Sequence, residues 1–263
     1  MRVLLKQAIG LAKWLLECLP PSTLRTVALL SFNTEFSSKG LNLADKKQNV
    51  KAVVFDMDGL MFNTEDIYDV VGSELLKDRG HEFSRELKQK MMGLPGLRPF
   101  EVMKEHCNLQ DDVAELKRES EVIFRELLPQ RIEMLPGLSF LLGDIERRGL
   151  SKAVATSSQR QFAEMALSCF QLMPRFEFIL TADDVEQGKP APDIYLEAAR
   201  RLDVEITNVL VLEDSYIGST AAASSGALTV AVPGAHSADQ NFDHVDYVVD
   251  RLDSEVILML LNR

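Results

Sequence analysis

From residue 51 onward, short β-branched runs alternate with amphipathic helical stretches, and that alternation limits the chain to a few architectures. The runs at 52–55, 152–155, 178–181, 209–212 and 228–232 are apolar and bounded by polar or glycine residues, which marks buried strands. A sixth, at 247–249, adds an edge. Helical patterns at 161–171, 193–202 and 217–225 separate them, the last stopped by Gly226. Strands interleaved with helices predict an α/β fold, a Rossmann-like parallel sheet with helices on both faces.

One interval is too long for a simple crossover. Thr156 follows Asp56 by 100 positions, whereas a βαβ connection needs about 12 residues. Within it the pattern is helical at 64–77, 86–92, 100–105 and 113–128, and Pro136-Gly137 punctuates the return. The expectation is a helical cap domain at 66–132, inserted after strand one into a core domain of 51–65 and 133–263.

Residues 1–50 stand apart. They carry seven basic and three acidic side chains in a protein of net charge -11. Residues 3–19 form an amphipathic pattern closed by Pro20 and Pro21 and broken by Lys6, Lys13 and Glu17, too interrupted for a membrane span. The stretch reads as an N-terminal extension outside the fold. The alternatives are a transit segment to an organelle and an interfacial helix. The acidic remainder disfavours nucleic acid polymers and anionic lipid as partners. Cys18, Cys107 and Cys169 are widely spaced, without a CxxC pair, and so fit a reducing compartment, the cytoplasm, better than a disulfide framework or zinc site. The four histidines lack metal-ligand spacing. A monomer is expected.

Two strands end in carboxylates. Asp56 and Asp58 follow the first, with Gly59 allowing a sharp turn; Glu213 and Asp214 close another. In open parallel sheets ligands bind at the carboxyl ends of strands. Four acids gathered there would disfavour their own ionised forms, a conflict that a hard cation removes, and all-oxygen ligands suit Mg²⁺. Thr156 and Ser157, at another strand end, offer hydroxyls and backbone amides to phosphate oxygens. Lys189, in Gly188-Lys189-Pro190-Ala191-Pro192-Asp193, offers a cation to both nucleophile and phosphate. Helix N-termini after Thr156 and Ser215 add N–H donors.

Taken singly, each feature has a plainer reading. Glu213 and Asp214 would serve as a helix N-terminal charge pair, Thr156 and Ser157 as caps, and Lys189 as a solvated lysine. A calcium loop around Gly59 fails because its first ligand would be Val54. The joint pattern decides.

The four segments, in order and at strand ends over residues 51–250, resemble the four motifs of the haloacid dehalogenase-like hydrolases. Asp-x-Asp-Gly followed by Asn63-Thr64-Glu65, with the helical insert after strand one, is similar to the β-phosphoglucomutase and pseudouridine-5'-phosphatase branch. The resemblance implies Asp56 as a nucleophile forming an aspartyl-phosphate and Asp58 as general acid and then base. It implies Thr156 as phosphate-binding hydroxyl and Lys189 as the motif-three lysine. It also implies magnesium held by Asp56, the Asp58 carbonyl, Glu213 and Asp214. The expected activity is a Mg²⁺-dependent phosphatase of small phosphate monoesters, sugar phosphates or nucleotides. A sugar phosphate mutase is the alternative, and a non-catalytic binding protein on the same scaffold the third reading. In the mutase pattern a histidine stands where this chain has Tyr68, which shifts the weight to hydrolysis. Phe62, Asn63, Tyr68 and Arg98 are candidates for substrate specificity, Arg98 at the end of a Gly93–Arg98 loop that otherwise reads as a turn.

Overall fold

The computed structural model describes residues 49–91, 94 and 96–262. The pattern at 3–19 and Met92, Gly93 and Pro95 of the 93–98 loop region lie outside the described residues.

Six parallel strands form one sheet: β1 Ala52–Phe55, β2 Ser151–Ala155, β3 Ile179–Leu180, β4 Val209–Glu213, β5 Leu228–Ala231 and β6 Tyr247–Val248, in the order β3-β2-β1-β4-β5-β6. The order reverses between β1 and β4, which opens a crevice at their carboxyl ends. β1 is buried at every position. Its alternate side chains feed opposite faces, as period-two geometry requires. Val53 and Phe55 join the larger core cluster, beside helices α5 Leu138–Arg147, α6 Arg160–Cys169 and α9 Glu255–Leu260. Val54 joins a second, against α7 Asp193–Leu202 and α8 Tyr216–Ser225. Such double burial explains why the strands read as continuous apolar runs.

Between β1 and α5 come four helices: α1 Thr64–Lys77, α2 Arg85–Met91, α3 Arg98–Cys107 and α4 Val113–Arg131. They pack around a hydrophobic cluster of their own, including Leu75, Leu76, Leu87, Met103 and Leu116. The Asp112 carboxylate caps α4, accepting from the Ala114 N–H at 2.8 Å. Insert and sheet nonetheless fall in one unit, Gln48–Arg263.

Two chain segments join insert to sheet, and Asn63 ties them together. Its N–H donates to the Glu133 carbonyl at 3.2 Å. Its side-chain oxygen accepts from the Glu133 N–H at 2.7 Å, and its amide nitrogen donates to the Arg131 carbonyl at 3.3 Å. Among the described residues no helix is long and apolar enough to cross a membrane.

Candidate active site

Strand register brings the acidic tips together. Phe55 pairs with Val154 of β2 and Leu212 of β4. The next residue, Asp56, keeps the pattern, its N–H donating to the Leu212 carbonyl at 3.0 Å. Asp56 therefore stands level with Glu213 on one side and Ala155 on the other. The Lys189 ammonium occupies the space between them. It donates to Asp56 Oδ1 at 2.6 Å, Glu213 Oε1 at 2.7 Å and the Ala155 carbonyl at 3.0 Å. Burial opposes the charge on Lys189, but Asp56 and Glu213 outweigh it and hold the amine protonated far above the ordinary lysine range.

Glu213 is itself held on every side. Oε1 also accepts from the Tyr195 hydroxyl at 2.6 Å. Oε2 accepts from the Asp214 N–H at 3.1 Å and the Ser215 hydroxyl at 3.2 Å. Both of its oxygens accept hydrogen bonds, and the side chain orients Lys189. Burial, then the charge of Glu213, pushes the Tyr195 phenol up, so it remains a donor.

Asp214 lies against the turn after β1. Gly59 adopts φ 80°, and a Cβ there would come within 2.4 Å of Asp214 Oδ2, so glycine is required for both conformation and space. Burial, then the charges of Asp56 and Glu213, raise the Asp214 carboxyl well above its usual range. Burial and Glu213 do the same to Asp56, against the pull of Lys189. Carboxylate oxygens of Asp56, Glu213 and Asp214 all lie within 4.8 Å of one another. Among the described residues, no donor hydrogen-bonds Asp56 Oδ2 or the Asp214 carboxylate. Those oxygens, made costly as ions by their burial, fit a hard divalent cation such as Mg²⁺.

Asp58 faces β2. Its Oδ2 accepts from the Thr156 hydroxyl at 2.8 Å and the Ser158 hydroxyl at 2.9 Å, while Oδ1 is buried with no partner among the described residues. Thr156 Oγ1 also accepts from the Ser158 N–H at 3.0 Å. The Thr156 hydroxyl, expected to touch phosphate, here positions Asp58. Ser157 is exposed and lines the cavity.

The cavity has a volume of about 1150 Å³ and runs from Asp56, Asp58, Lys189 and Asp214 to insert residues including Glu65, Asp69 and Lys88. The four specificity candidates fare differently. Tyr68 stacks on Phe124 at 4.5 Å, and its phenol is pushed up by burial and then by nearby Asp58, which sets it at the site's edge. Phe62 is fully buried and stacks on Phe170 at 5.4 Å, so its ring belongs to the core. Asn63 serves the hinge. Arg98 is exposed, pairs with Glu101 at 2.6 Å and lies off the cavity wall, because its position opens α3 on the solvent side. Sequence reading missed Ser158, Tyr195 and the cavity-lining Lys88. Only Ser158, two residues past Thr156, carried a signal in spacing.

The family described as haloacid dehalogenase-like hydrolase matches residues 53–232. The putative phosphatase YhcW of Bacillus subtilis is 32% identical over 217 residues, covering 81% of this chain and 97% of that protein. A probable pseudouridine-5'-phosphatase of Drosophila melanogaster is 32% identical over 211 residues, covering 78% and 91%. Among solved structures, CbbY from Rhodobacter sphaeroides in complex with phosphate is similar with TM-score 0.71 and 26% identity, covering 81% of this chain and all of that one (100%). With strand-end carboxylates, lysine and hydroxyls gathered at the switch point of its sheet, the chain belongs to the haloacid dehalogenase-like hydrolases and is a phosphoric monoester hydrolase of that family.

Proposed function

We propose that the protein is a Mg²⁺-dependent phosphatase of small phosphate monoesters, of the sugar phosphate or nucleotide type, working through an aspartyl-phosphate on Asp56. The observation that carries this reading is the position of Asp56 between the Lys189 ammonium at 2.6 Å and the Asp214 carboxylate. One oxygen is neutralised, and the other faces the cavity. Asp56, Asp214 and the Asp58 carbonyl would hold Mg²⁺, which supplies charge neutralisation for nucleophile and phosphate together.

Asp56 attacks phosphorus, and the bond to the leaving oxygen breaks. Asp58 supplies the proton that oxygen needs. Its Oδ2 already accepts two hydroxyls, so buried Oδ1 is the oxygen left to carry that proton. Asp58, then ionised, takes a proton from water, which attacks the aspartyl-phosphate and releases inorganic phosphate and free Asp56. Lys189 stays in place throughout and offsets charge on the phosphoryl oxygens. The helical insert acts as a cap that closes over this step. Hydrolysis is favoured over transfer to a second sugar hydroxyl by Tyr68, whose stacked ring and raised phenol leave no base at that position. Free Cys107 and Cys169 suit the cytoplasm, where the enzyme would work as a monomer.

A panel of p-nitrophenyl phosphate, ribose 5-phosphate, uridine 5'-monophosphate and β-glucose 1-phosphate tests the reading. Free phosphate from at least one is expected. Isomerised glucose phosphate without free phosphate would establish the mutase instead, and no reaction across a broad panel would favour a binding protein.

A further inference from the structure

His236 lies on the segment after β5, far in sequence from every motif above. Its turn is fixed: the Ser237 N–H donates to the Gly234 carbonyl at 3.2 Å, and the Gly234 N–H to Ser237 Oγ at 3.1 Å. A Cβ on Gly234 would meet the Gly59 carbonyl at 3.7 Å, so this turn sits beside the catalytic loop. From there the imidazole touches two helices of the insert at once. Nε2 is 2.7 Å from Asp66 Oδ1 of α1, and Nδ1 is 3.0 Å from Lys88 Nζ of α2.

These contacts assign the ring nitrogens their donor and acceptor roles. An ammonium has no lone pair, so Lys88 donates and Nδ1 accepts; Nε2–H then donates to Asp66. The imidazole is thus a two-ended connector. Lys88 is held besides by the Asp69 carboxylate and the Glu65 carbonyl at 3.4 Å, with Glu65 Oε2 at 3.7 Å. Glu65, Asp69, Lys88 and His236 line the same cavity as Asp56 and Lys189. Of the other charged groups on these elements, Arg85 and Asp239 pair with each other at 3.2 Å, largely exposed, Glu86 pairs with Lys90 at 2.6 Å, and Glu74 and Lys77 lie further along α1. Glu65 feels the charge of Asp58, so a displaced Lys88 would leave two bare carboxylates facing the approach of an anionic substrate.

We infer that His236 is a positioning residue: it latches α1 and α2 to the sheet domain and fixes the Lys88 ammonium where it cancels Glu65 and Asp69 in the wall of the substrate cavity. The inference rests on the phosphatase reading only for the sign of the substrate's charge.

The test compares wild type with His236→Ala, Asp66→Ala and Asp66→Asn. A hydrogen bond to a charged group corresponds to roughly ten-fold in binding. His236→Ala should raise KM for p-nitrophenyl phosphate by about ten-fold, with kcat falling about three-fold or less, and added salt should narrow the KM gap. Asp66→Ala should follow it. Asp66→Asn, which still accepts from Nε2–H, should lie near wild type. Hydrogen exchange across residues 85–91 should quicken in His236→Ala and remain slow in Asp66→Asn. Calorimetric binding of inorganic phosphate should weaken by the same factor as KM, without turnover. An inactive wild type that still shows the exchange and binding differences sinks the phosphatase reading alone. Unchanged KM, phosphate affinity and exchange in His236→Ala overturn the latch.

Discussion

A Cβ built on Gly218 would lie 1.8 Å from Glu213 Oε1. The first turn of α8 is thus shaped to let a fully buried carboxylate rest against bare backbone, and that carboxylate orients Lys189.

Gly218→Ala therefore disturbs chemistry through Glu213. The methyl must push Glu213 aside, which breaks the alignment of Lys189 with Asp56. We expect kcat to fall by ten-fold or more and stability by about 1–3 kcal/mol, the usual effect of overpacking. Steady-state kinetics and urea unfolding check both.

Tyr195→Phe removes the hydroxyl that donates to Glu213 Oε1 at 2.6 Å and leaves the ring in place. Glu213 then loses a donor in a buried site, a loss of about 1–3 kcal/mol. Lower thermal stability is expected, along with a modest fall in kcat, because Lys189 keeps both carboxylate contacts. A variant as stable as wild type would show that the hydroxyl bond contributes little.

The raised carboxyls of Asp56 and Asp214 predict how stability depends on pH and metal. A carboxyl raised on folding stabilises the protein below its unfolded value, 3.8 for both groups, and that contribution is lost as pH rises through the folded one. Without metal, the midpoint of thermal unfolding should thus decline on this account as pH climbs above the ordinary carboxylate range. Mg²⁺ binds the ionised forms, so its stabilising effect should grow over the same range. Asp214→Asn should raise the metal-free midpoint at neutral pH and lose most of the gain from Mg²⁺. Scanning calorimetry at several pH values, with Mg²⁺ and with chelator, measures this.

Asn63 joins the two crossings between insert and sheet through one backbone and two side-chain hydrogen bonds. Asn63→Ala removes the side-chain pair. We expect a loss of about 1–2 kcal/mol and faster hydrogen exchange at both crossings, with the fold retained.

The strands and the acid pairs were legible because local pattern determines them. Doubly buried strands must be apolar, and a carboxylate ending such a run has few structural uses. The alternation of runs and helices anticipated the sheet, and helix α1 matches its expected span, 64–77. The strand at 52–55 and helix α7 match as well; other boundaries shifted by up to three residues, as at α4, which runs on to Arg131, and at β3, reduced to Ile179–Leu180 beside its 3₁₀ turns, and helices α5 and α9 were not anticipated. Other features were not legible because they depend on tertiary approach. Tyr195 reads as one more apolar position of α7, and nothing local says that its hydroxyl meets Glu213. Lys88 and His236 are separated by 148 positions and meet only when the insert folds back over the sheet. Phe62 and Arg98 were expected at the pocket from their closeness to the hinge and loop. The direction of each side chain, into the core for one and to solvent for the other, is a three-dimensional property.

The central claim is that Asp56 is the nucleophile and needs a divalent cation beside it. Its most direct test is inorganic phosphate release from p-nitrophenyl phosphate by wild type and Asp56→Asn, each with Mg²⁺ and with excess chelator. The account predicts turnover only in wild type with Mg²⁺. Undiminished release by Asp56→Asn, or by wild type in chelator, would contradict it.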